Sequence, residues 1–195
     1  MTSFSKIYSV SADVETFAML QETTLELAMQ SSDNELYSLN GQAKGTLWQA
    51  VAVNWLTVPG TPSLPRPDLA AWGAISLAVN AERAALLEPA LGSSCELLPL
   101  SLNGVPWRAI NVLARYQAID DQLTERRYRA DGRPDRIRPF KRLVLNGNAI
   151  STGGLFRIEG AGLRTYCTDQ QGGFLDVVTR HNLQGLTFTE QEVRF

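Results

Sequence analysis

Residues 95–120 read CELLPLSLNGVPWRAINVLARYQAID, and they constrain the fold more than any other stretch of the chain. Two apolar runs, 96–102 and 105–114, flank an Asn103-Gly104 dipeptide. Asn and Gly adopt positive φ at both central positions of a type I′ turn, whose twist matches that of paired strands. Leu98, Leu100 and Leu102 share one face of the first strand, and Ile110 and Val112 repeat that spacing in the second. The pattern predicts a long hairpin that serves as scaffold. Directly after it the chain turns acidic, at Asp120 and Asp121, and then abruptly basic.

A chain of 195 residues supports one well-buried core, and 44% hydrophobic with 19% charged residues places it among folded domains rather than disordered chains. The net charge of −2 is too small to imply a partner by itself. The longest apolar stretch, 47–58, is interrupted by Gln49 and Asn54 and is too short to span a bilayer. The opening MTSFSKIYSVSADVE lacks the basic region, apolar core and cleavage site of an export signal. Cys95 and Cys167 each fall inside an expected strand, which predicts buried, reduced thiols. A cytoplasmic location is the expectation.

Residues 4–10 alternate as a short strand, whereas 15–30 fit strand and helix equally. A polar break at 31–34 precedes a strand at 36–39 ending in a second hairpin-type turn, Asn40-Gly41. The stretch 46–58, with Trp48, Val51, Val53 and Trp55, leans towards strand. Four prolines between 59 and 67 exclude helix and central strand there. One domain over 1–195 is expected, with an N-terminal lobe 1–58 and a C-terminal lobe 68–195 joined at 59–67 as the alternative. Residues 74–79 read as a strand, and Asn80 is a good N-cap for the helix AERAALLEPAL, which Pro89 ends or kinks. Two further strands at 124–130 and 136–145 surround the turn Asp131-Gly132-Arg133-Pro134. Residues 155–158 and 163–167 make a pair, 174–181 a helix closed after Leu183 by Gly185, and 186–188 a last strand. The class expected is α+β, mainly antiparallel sheet with two or three short helices.

Catalytic schemes find little to use. The single histidine, His181, falls at the end of an expected surface helix, where it favours the helix dipole rather than a cysteine nucleophile. No Cys-x-x-Cys occurs, so no metal site is expected. Asp120, Asp121 and Glu125 form the densest carboxylate cluster, yet neighbouring strand residues point to opposite faces and couple poorly as acid and base. The glycines of Gly160-Ala-Gly162 lack the third glycine and the helix of a dinucleotide loop and read as a turn. No enzyme activity and no cofactor are expected.

Residues 126–142, RRYRADGRPDRIRPFKR, hold eight of the eighteen basic residues. With Tyr128 and Phe140 interleaved, the segment admits nucleic-acid binding, making a regulatory module the alternative function. It equally describes a solvated ribbon whose arginines are neutralised by acids of the same chain. A third reading is a protein-docking surface, since Arg and Tyr are enriched at interface hot spots.

The order of several patches between 65 and 188 resembles immunity protein family eleven of bacterial polymorphic toxin systems. These are Pro67-Asp68 with Trp72, Glu82-Arg83-Ala84, Glu96-Leu97-Leu98-Pro99-Leu100, Asn103-Gly104, Asn111-Val112-Leu113 and Asp120. Further on come Gly132 before Ile137, Leu155-Phe156-Arg157, Thr168-Asp169 before Phe174, and Leu183 with Gly185-Leu186-Thr187-Phe188. Ala118 and Ile119 depart from the family's usual cysteine and leucine. The resemblance implies a non-enzymatic protein that neutralises a toxin encoded nearby, such toxins often being delivered by type VI or contact-dependent secretion. With no export signal, a toxin acting in the cytoplasm, such as a nuclease, fits best. Against a cationic nuclease cleft, carboxylates give steering and affinity. Asp120, Asp121 and Glu125, followed by Arg126, Arg127 and Tyr128, are therefore the expected partner-binding set, with a merely solvated bend as the alternative. No contact with membrane is expected, and nucleic acid ranks second.

Overall fold

The computed structural model of the chain describes residues 4–24, 29, 37–73, 75–133, 135 and 139–195. The expected polar break at 31–34, the strand residue Leu36, and Ala74, Pro134, Arg136, Ile137 and Arg138 lie outside the described residues. In chain order the elements are β1 (Ile7–Ala12), β2 (Leu20–Glu22), β3 (Val51–Trp55), β4 (Leu69–Trp72), β5 (Ser76–Asn80), α1 (Ala81–Leu91), β6 (Cys95–Leu102), β7 (Val105–Val112) and β8 (Arg115–Tyr116). They continue with β9 (Glu125–Arg126), β10 (Phe140–Arg142), β11 (Val144–Asn146), β12 (Arg157–Ile158), β13 (Thr165–Thr168), α2 (Phe174–Arg180), β14 (Leu186–Glu190) and β15 (Glu192–Arg194). Among the described residues the class is mixed α and β, mostly sheet with antiparallel pairs and two α-helices.

The central hairpin forms as expected. β6 and β7 pair from Cys95 with Val112 to Leu102 with Val105, and Asn103 and Gly104 take φ of 51° and 84°. Its two faces serve different cores. Leu98, Leu100 and Leu102 point inward with Trp107 and Ala109, while Ile110 and Val112 point outward. The hairpin is the middle of a closed barrel in the order β2, β3, β6, β7, β5, β4, a closure that the expected antiparallel sheet did not include. Two seams are parallel, β3 beside β6 and β2 beside β4. A barrel this small is filled by side chains, and all four tryptophans of the chain gather at its core. Trp48 meets Trp72 edge-on at 6.1 Å and Trp55 meets Trp107 at 5.4 Å. Strands from both sides of the proline-rich connection share this barrel, and residues 59–66 run exposed between them.

Both helices cover the outer wall. Asn80 accepts a hydrogen bond from the Glu82 N–H at 2.9 Å and caps α1 as expected, while Pro89 is accommodated inside the helix two residues before its end. Leu87 and Leu91 of α1 join Phe174, Val177 and Val178 of α2 against Leu77, Val79, Ile110 and Val112. β1 lies between β13 and β14, so the two ends of the chain are hydrogen-bonded together. A third apolar cluster gathers Ile7, Leu145, Phe156, Ile158 and Tyr166 below that sheet. Gly185 joins the C-terminal segment to the barrel: a Cβ there would lie 1.9 Å from the Leu69 carbonyl, and its φ is +111°. Only glycine permits that approach.

Several expectations change. β4 was not foreseen, because its four residues are all buried and show no alternation. Asn40 and Gly41 close no hairpin: residues 38–44 enter no strand, and Arg115 donates to the Asn40 carbonyl, so a tertiary contact shapes this loop. Residues 155–158 and 163–167 meet only at the bridge between Phe156 and Tyr166; β12 runs parallel to β8, and β13 pairs with β1. α2 ends at Arg180, before Leu183. The last strand is followed by β15, parallel to β11. No helix among the described residues is long and apolar enough to cross a membrane.

Candidate functional site

The acidic bend is built from the first aspartate. Oδ1 of Asp120 accepts from the N–H groups of Gln122 and Leu123 at 3.0 and 3.1 Å, an Asx turn that folds the chain back after the barrel. Its other oxygen meets Arg194 at 3.5 Å, and the side chain is only 11% exposed. Asp120 therefore holds the bend and does not stand among exposed acids, contrary to the expectation of an open acidic trio. Thr124 completes the anchorage: its hydroxyl accepts from the Val144 N–H and donates to the Val144 carbonyl, both at 3.1 Å.

Beyond this anchor β9 and β10 form a two-stranded ribbon, with Phe140 opposite Arg126, Arg142 opposite Glu125 and a bulge between them. Arg129 and Gly132 close its tip through backbone bonds of 2.8 and 3.0 Å. The ribbon orders its own charges. Asp121, three-quarters exposed, holds Arg126 at 2.8 Å, and the Arg126 guanidinium stacks 5.6 Å from the Phe140 ring centre. Arg142 pairs with Glu192, whose carboxyl falls below its ordinary range because of that hydrogen bond. Arg133 lies 4.0 Å from Asp131. Glu125 and Tyr128 are exposed, Tyr128 by 57%. Arg127 is half-buried, its Nε shut away from solvent. Of the six expected contact residues, four are exposed: Asp121, Glu125, Arg126 and Tyr128. Asp120 and Arg127 turn inward.

His181 caps α2 on the surface. Cys95 and Cys167 are unpaired thiols, and burial pushes Cys95 up to about 11 and raises Cys167 as well. A nucleophile needs the opposite shift. Gly160 and Gly162, both at positive φ, form a turn as expected. Among the described residues no three His, Cys, Asp or Glu side chains are placed to hold a metal.

Two structural carboxylates escaped the sequence reading. Burial pushes Glu96 upward, but the N–H groups of Lys44 and Gly45, at 2.8 and 2.7 Å, and the Asn111 amide hold it below its ordinary range. Asp169 behaves alike, binding the N–H groups of Ser5 and Lys6 at 2.8 and 2.9 Å. Neither partner is near in sequence, so no local signal marks them. No protein-family model matches the chain, and no curated protein matches it.

Proposed function

We propose that this chain is an immunity-type protein that binds and neutralises a bacterial toxin by direct contact, with the β9–β10 ribbon as its docking element. The resemblance described above motivates the class. The observation that carries the docking surface is the preordered group of Asp121, Arg126 and Phe140, an arginine already stacked and paired, with the exposed Tyr128 two residues further along the chain. Arginine and tyrosine anchor interfaces, and an ordered guanidinium loses less freedom on binding. Asp121 and Glu125 offer carboxylates to a cationic cleft, as in a nuclease acting in the cytoplasm. The nucleic-acid reading ranks second, because Arg126, Arg133 and Arg142 each have an acid at hand.

The test co-expresses the chain with the product of the adjacent reading frame and scores growth and complex formation. Wild type is expected to protect and to co-purify one-to-one. Arg126→Ala with Tyr128→Ala is expected to remain folded and lose protection. A folded double variant that protects as well as wild type overturns the ribbon as docking element. Steeply salt-dependent binding to generic DNA, without a complex, favours the nucleic-acid reading.

A further inference from the structure

β8 and β12 lie side by side in parallel with Arg115 opposite Arg157 and Tyr116 opposite Ile158. Residues opposite one another project to the same face. Tyr116 and Ile158 face the third apolar cluster. The two arginines consequently share the other face, towards Cys95 at the start of β6 and the loop at Asn40.

Arg157 is 4% exposed, and its Nε and Nη1 are buried with no hydrogen-bond partner among the described residues. Burial and the neighbouring Arg115 guanidinium pull it below the usual arginine range, and no carboxylate among the described residues opposes them. Arg115 is exposed and donates to the Asn40 carbonyl. A buried guanidinium with idle donors beside a second one is strongly unfavourable unless an anion joins them.

We propose that Arg157 and Arg115 form a binding site for a small, doubly charged oxyanion of the phosphate or sulfate kind. Arg157 supplies the enclosed floor and Arg115 the rim open to solvent. The guanidinium fork matches paired oxygens, and a double charge balances both arginines where a monocarboxylate balances one. The site lies on a different strand pair from the β9–β10 ribbon and stands independently of the toxin-binding proposal.

The test takes the whole chain, freed of phosphate and sulfate, and titrates it with inorganic phosphate, sulfate, acetate and chloride at matched ionic strength. Thermal unfolding and calorimetry are read together. Phosphate and sulfate are expected to bind once per chain and raise Tm saturably, by about 5 °C at a hundredfold excess over Kd. Arg157→Met is expected to melt higher than wild type in chloride and to lose the response to phosphate. Arg115→Gln, changed at an exposed position, is expected to fold and to bind phosphate at least about tenfold more weakly, which keeps the test decisive if Arg157→Met does not fold. Equal shifts in phosphate and chloride, or an unchanged phosphate titration in Arg115→Gln, overturn the site. Acetate binding as tightly as phosphate overturns the double-charge assignment.

Discussion

The β6–β7 hairpin and the β9–β10 ribbon are both antiparallel pairs turned by a glycine, yet different forces hold them. The hairpin is eight residues a side and mostly apolar on both faces, one filling the barrel and the other receiving the helices. Moving either strand by one register would exchange those faces. The ribbon pairs a two-residue strand with a three-residue strand and is held by Thr124, a stacked arginine and surface ion pairs. Such pairs contribute little to stability. Chemistry is therefore free to change on the ribbon and tightly restricted in the hairpin, which is the division expected between a surface element and a packed scaffold.

The largest expected effect tests the hairpin's inner face. Trp107→Ala removes a 3%-exposed indole that packs on Trp55 and should cost about 3–5 kcal/mol in denaturant unfolding. A loss below 1 kcal/mol would mean that the barrel is not packed as a core. Gly104→Val comes next. No atom lies within 4 Å of a Cβ built there, so only the positive φ opposes the change, and about 2 kcal/mol should be lost with partner binding intact.

The third test is pH. Because the folded chain holds Glu96 and Asp169 below the ordinary carboxylate range, the unfolded chain binds protons first as pH falls. Their stabilisation is complete above the ordinary range and disappears as pH falls through the lower folded values. Glu96→Gln with Asp169→Asn should flatten the acid limb of a Tm-versus-pH curve; an unchanged limb would place the acid sensitivity elsewhere. The smallest effect belongs to the ribbon, where Asp121→Asn should shift stability by no more than about 0.5 kcal/mol. A loss of 2 kcal/mol there would erase the contrast between the two regions.

What the sequence determined by itself is local. Asn103-Gly104 specifies its turn through backbone φ, Asn80 caps α1 through its own side chain, and the 3.6-residue spacing of Phe174, Val177 and Val178 marks α2. Each rests on residues within one or two turns of chain. Barrel closure, the all-buried β4, the parallel strand β15 and the inward role of Asp120 depend on partners far away in sequence, such as Trp72 for Leu20 and Arg194 for Asp120. The ribbon's charge was legible from composition, but which of its acids face solvent was not, because hydrogen bonds to the bend decided it. Arg157 and Arg115 lie 42 positions apart, and only the pairing of β12 with β8 brings their like charges together.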